Sequence, residues 1–182
     1  MTIAQTWGTS AAERKLSYPC DSLIPDSEDS LYRGITIDAP PEIVFRWLCQ
    51  LRAAPYSYDW IDNGGRESPR RLTPGLEHLA VGQDVMRIFQ LADFAQDQHL
   101  TLRIKTKSKA QRLFGDLAVT YSVVAQGPSG CRLLVKLVVQ HPPTVWGRLM
   151  RSLLPWGDLI MMRRQLLNLK QLAERESANA LR

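Results

Sequence analysis

The sequence is poor in the residues that most often carry chemistry, with three cysteines and three histidines among 182 residues. Cys20, Cys49 and Cys131 lie far apart and lack C-x-x-C spacing, and an odd count does not make a disulfide framework. They read as reduced thiols in a cytoplasm, with Cys49 a small core residue. His78, His99 and His141 are equally scattered, with no i, i+4 pair, so no metal site is expected and each reads as a surface or strand-edge residue. The G-x-x-x-x-G-K-[ST] and G-x-G-x-x-G loops are missing, as are H-E-x-x-H and G-x-S-x-G. No cofactor is expected. No run of 18 apolar residues occurs, so no membrane-spanning helix is expected. The opening MTIAQTWGTSAAERK lacks the basic start and apolar stretch of a signal peptide, which again predicts a cytoplasmic chain. Repeats and low-complexity tracts are also lacking.

What is present is an ordinary globular composition, 45% apolar and 23% charged, long enough for one sizeable core. The net charge of +5 is unevenly spread. Residues 1–30 hold five acids and two bases, leaving 21 bases and 13 acids in residues 31–182. Residues 1–30 also hold several breakers and little periodicity. They read as an extended, loosely attached arm lying over a domain of residues 31–178, with 179–182 a disordered tail.

The chain is organised around its last helix. Leu159, Met162, Leu166, Leu169 and Ala173 recur at steps of three and four and form one apolar stripe, widened by Ile160, Met161, Leu167 and Leu172. Asp158 is placed to cap this helix. Thr144 is placed to cap a shorter one, and Pro155 to break or kink the path between them. Period-two alternation predicts strands at 31–38, 85–94, 99–107, 116–126 and 131–140. Turns are expected at 95–98 and 108–115, and residues 126–130 read as a hairpin loop. Short loops make these strands an antiparallel meander, apolar on one face. Pro41 fits the first turn of a helix that runs to about Leu51. The order of elements predicts an α+β fold, a curved antiparallel sheet wrapped around the C-terminal helix.

Residues 32–50, YRGITIDAPPEIVFRWLCQ, carry a resemblance. A strand followed by I-x-Ala-Pro-x-x-Val-aromatic resembles the opening of the START/Bet v 1-like superfamily, SRPBCC, with its polyketide cyclase-like members. The blocks at 56–60 and 77–84, with Trp7-Gly8-Thr9 and Met162-Arg163-Arg164, are similar to an uncharacterised subgroup. The stretch from Gln83 to Leu102 is shorter than in many relatives. The resemblance implies a helix-grip fold with an apolar cavity, and a lipid, sterol, hormone or aromatic polyketide as guest. It supplies no catalytic signature to place on these residues.

The expected function is therefore binding of an apolar or amphipathic small molecule between sheet and helix. Trp47, Tyr56, Tyr58, Trp60, Tyr121 and Met162 are the candidate lining residues. Aromatic faces and a flexible thioether suit an adaptable apolar guest. Arg87 reads as outward-facing. A cyclase or dehydratase is the rival reading, and it needs an acid–base pair that the sequence does not display. Another rival is a protein- or membrane-interaction domain, resting on the Met-rich basic tract from Trp146 to Lys170. The basic run Arg103, Lys105, Lys107, Lys109 and Arg112 reads as a solvated strand face. No nucleic-acid partner is expected.

Overall fold

Leu117, Val119, Tyr121 and Val123 fall at alternate positions, so an extended chain presents them all to one side. In the computed structural model, which describes residues 1–127 and 129–180, they lie on β5 (Asp116–Ala125). The flanking β4 (His99–Ile104) and β6 (Cys131–Gln140) arise from the same alternation. β1 (Asp29–Ile37) pairs with β6 at one edge. β3 (Phe89–Ala95) and the two-residue β2 (Asp84–Val85) finish the other edge. The order is β1-β6-β5-β4-β3-β2, antiparallel throughout.

The inward face joins Leu102, Val119, Tyr121, Leu133 and Val135 in one buried cluster with Phe45, Trp47 and Leu48 of α3 (Pro41–Cys49). Leu166, Leu169 and Ala173 close it from α6 (Val145–Ala180). Cys49 is buried among them, as expected.

The arm is not extended. It forms α1 (Ile3–Thr6), which packs against β1 and α6, then a 3-10 turn at Glu13–Lys15 and α2 (Cys20–Leu23), which docks on the outer face of the sheet. Tyr18, Cys20 and Ile24 are buried there with Tyr32, Ala118, Leu134 and Val138. Its acids meet bases of β6: Arg132 Nε donates to Glu13 Oε1 at 2.8 Å, and Lys136 Nζ lies 2.6 Å from Asp21 Oδ1. Gly8 makes the dock possible. Its φ is +75°, and a Cβ there would sit 2.0 Å from the Gly34 carbonyl oxygen, so any side chain would push the arm off β1.

Other expectations need correction. The strand expected at 85–94 is folded into a hairpin, because Met86 and Arg87 adopt φ of 46° and 62° and turn the chain back. Arg87 is exposed on that turn. Residues 108–115 contain a helix, α5 (Lys109–Phe114), capped where the Gln111 N–H donates to Ser108 Oγ. The basic run therefore does not share one strand face. Arg103 pairs with Asp116 and Lys105 with Asp84, while Lys109 and Arg112 ride on α5. The last helix is continuous from Val145, with the Gly147 N–H donating to Thr144 Oγ1 as the expected cap. Pro155 removes only the bond to the Arg151 carbonyl, and Arg151 lies on the exposed side where water can replace it. Asp158 is thus mid-helix rather than a cap. His141 is buried, with Nε2 3.1 Å from Asp29 Oδ2. Residues 179 and 180 continue the helix, and 181–182 lie outside the described residues, as does Pro128 in the expected hairpin loop.

Candidate functional site

The second half of α6 packs directly on the sheet. Its first half stands off, because a straight helix cannot follow a curved sheet along its whole length. Between them lies a cavity of about 500 Å³. Leu117, Val119 and Tyr121 of β5 with Leu137 of β6 form its floor. Met150, Leu154, Gly157, Met161 and Met162 of α6 form its roof. Met86 and Ile88 of the β2–β3 turn, Phe89 at the start of β3 and Phe114 at the end of α5 wall one side. Ile61, Ile88 and Leu153 line the cavity yet remain exposed, which marks the mouth. Ile61 belongs to the short α4 (Asp59–Asp62).

A few polar groups interrupt this lining. The Tyr121 hydroxyl donates to Gln165 Oε1 at 2.8 Å. Gln165 Nε2 donates to the Pro55 carbonyl at 2.6 Å, which fastens the segment before α4 to the helix. Burial raises the Tyr121 phenol well above its ordinary value, so it stays a neutral donor. Asp158 also borders the cavity. Its Oδ2 lies 2.6 Å from Nη2 of Arg33, which is 1% exposed. Burial pushes the Asp158 carboxyl up and the Arg33 charge pulls the other way. Arg33 also donates to the carbonyls of Tyr32, Ala4 and Pro155. At the mouth, Asp62 Oδ1 is buried without a hydrogen-bond partner, and burial raises that carboxyl too.

Of the six residues expected from sequence, Tyr121 and Met162 line this cavity. Trp47 and Tyr56 are core residues packed edge to face, with ring centroids 6.1 Å apart. Burial pushes the Tyr56 phenol up to about 12, and its backbone carbonyl accepts from Asn168 Nδ2 beside a separate polar pocket of about 130 Å³. Tyr58 is half-buried with the Arg164 guanidinium over its ring. Trp60 points to solvent, 76% exposed. The three aromatics separate because Tyr56 takes a φ of 55° and α4 then turns away from the core. Gln165 and Asp158 were missed, although each is a polar residue set among apolar ones on the buried side of the helix. That interruption is the signal that could have found them.

Among the described residues no group of three or more His, Cys, Asp or Glu could hold a metal ion. No described helix is long and apolar enough to cross a membrane. No family model matches the sequence, and no curated protein matches it. The fold is similar to that of a protein from Arthrobacter aurescens, at 11% identity and TM-score 0.52, covering 80% of this chain and 86% of that one. It is also similar to a protein from Nitrosospira multiformis, at 13% identity and TM-score 0.50, covering 82% and 99%. A START superfamily protein from Mycobacterium smegmatis aligns at 15% identity and TM-score 0.47, covering 83% and 98%. An antiparallel six-stranded sheet with a long C-terminal helix packed across it and a cavity between the two is a helix-grip fold, and this chain has that fold.

Proposed function

We infer that the chain binds an amphipathic small molecule, such as a lipid, polyketide or other aromatic, in the cavity between the sheet and α6. One observation carries the reading: a cavity of about 500 Å³ with an almost wholly apolar lining and a few polar groups. That volume lies within the ordinary range for small-molecule sites, and burying an apolar body there supplies the affinity. The polar groups set the chemistry of the ligand's other end. Asp158 and Asp62 both border the cavity, and the only buried cation beside them among the described residues, Arg33, is already paired. A ligand bearing a hydroxyl or another hydrogen-bond donor therefore fits better than one bearing a free carboxylate. Native mass spectrometry of the purified chain offered long-chain alcohols, phenols and fatty acids tests this. Retention of the alcohols and phenols over the fatty acids is expected. Failure to retain any of the three classes would end the reading.

The cyclase or dehydratase reading keeps one specific support, the two carboxyls Asp62 and Asp158 on the cavity wall. Both are raised by burial, which suits proton transfer to a bound substrate. Conversion of a retained ligand that Asp62→Asn abolishes without loss of retention would favour it.

A further inference from the structure

α6 is apolar on two sides. One side roofs the cavity. On the other, Val145, Leu149, Leu153, Trp156 and Ile160 recur at steps of three and four, with Trp146 beside them, and all six are exposed. Val145 is 81% and Trp156 53% exposed. No described element covers this stripe. The Trp146 indole donates to the Leu113 carbonyl, which joins the stripe to α5.

The exposed charge beside the first turns of the stripe is basic. Lys107, Lys109, Arg112 and Arg148 are exposed beside it, and no described carboxylate lies within ion-pairing distance of any of them. Neither α5 nor residues 145–157 contains an acid. The nearby acids Asp116, Glu28, Asp29 and Asp158 are each engaged in an ion pair, and Asp62, on the cavity wall at the mouth, is the one that is not.

We propose that this face of α6, with α5, docks on the surface of an anionic lipid bilayer. Tryptophans among aliphatic residues, rimmed by unpaired lysine and arginine, match the headgroup–acyl boundary of such a membrane. A second copy of the chain matches poorly, because a two-fold contact on this face would bring the same free cations together. Leu153 belongs to both the stripe and the cavity mouth. The docked chain therefore holds its mouth at the bilayer, where an apolar guest can pass without crossing water. This last point rests on the ligand-binding reading, whereas the docking itself does not.

Vesicle flotation of the full chain tests the assignment, using pure phosphatidylcholine and equal parts phosphatidylcholine and phosphatidylglycerol. The chain is expected to float with the mixed vesicles only, and to be released by salt. Trp156→Ser with Leu149→Ser should reduce partitioning by at least about tenfold. Both side chains are exposed, so the melting temperature should hold. Lys109→Glu with Arg112→Glu should reduce it comparably. Met162→Trp, which obstructs the cavity, should leave flotation unchanged while abolishing uptake of a fluorescent apolar dye, and the Trp156→Ser, Leu149→Ser variant should do the reverse. Flotation without dye uptake in the unaltered chain would sink the cavity reading and leave the docking face standing. A chain that ignores the mixed vesicles, or floats equally with both kinds, overturns the docking face. So does a dimer in solution that Trp156→Ser dissolves.

Discussion

Arg33 Nη2 lies 2.6 Å from Asp158 Oδ2, across the join between the edge strand β1 and the middle of α6. The pair sits where the helix leaves the sheet, on the border of the cavity. Three backbone carbonyls complete the guanidinium's partners, from α1's Ala4, β1's Tyr32 and α6's Pro155. One side chain thus holds the arm, the sheet and the helix at a fixed separation.

Asp158→Ala should destabilise the chain by about 3–5 kcal/mol, because it leaves the Arg33 charge buried and uncompensated. Asp158→Leu with Arg33→Met should recover most of that loss, since replacing both partners removes the unpaired charge. Urea unfolding of the three variants measures both effects. A single variant as stable as the unaltered chain would show that the pair holds nothing.

Tyr121→Phe removes the donor that satisfies Gln165 Oε1, and Gln165 is buried. A cost of about 1–3 kcal/mol is expected. The loss should show as a lower midpoint in denaturant with an unchanged slope. The segment fastened by the Gln165–Pro55 bond should also exchange its amides faster.

Met162 borders the cavity on the roof, and its sulfur lies 3.7 Å from the Tyr121 hydroxyl. Met162→Trp should fill much of the space. A bound apolar ligand should raise the melting temperature of the unaltered chain by mass action. The variant should show no such rise while keeping its far-ultraviolet circular dichroism. An equal rise in both would place the ligand elsewhere.

The arm should loosen in acid. The hydrogen bond from Arg132 holds the Glu13 carboxyl below its ordinary value of 4.5. Its contribution to docking is then fully present above pH 4.5 and lost as the pH falls through the lower, folded-state value. The Cys20 N–H, which donates to Thr120 Oγ1, reports on docking. Its protection from exchange should drop across that interval, and Glu13→Gln should weaken protection at neutral pH and flatten the dependence.

The sheet was legible because its middle strands alternate cleanly and their connections are short. Leu100, Leu102 and Ile104, then Leu117 to Val123, then Leu133 to Val139 all face inward as their spacing requires. The break at Met86 and Arg87 was not legible, since neither residue is a glycine and both still take positive φ. The two-sided apolarity of α6 hid its orientation. Ile160 and Leu167 read as flanks of the buried stripe and are exposed, because the long helix contacts different partners along its length. Tyr121 and Met162 were found because each sits on a periodic element whose inward face periodicity reveals. Phe114 and Ile88 were not, because a turn or a short helix brings them to the cavity wall, and no repeat marks such positions. The acidic arm was legible as a charge imbalance but not as a docked element, since its partners Arg132 and Lys136 read as the solvent side of a strand.

The sheet order has a temporal consequence. β2 through β6 pair with sequence neighbours and can assemble as each hairpin is completed. β1 pairs with β6, from Asp29 against Val139 to Ile37 against Cys131, residues about a hundred positions apart. During synthesis the edge strand and the arm must therefore wait, with one edge of the nascent sheet open, until β6 has left the ribosome. The cavity roof comes later still. Association of a ligand or a lipid surface with a nascent chain should begin only after β6 and the first turns of α6 have emerged.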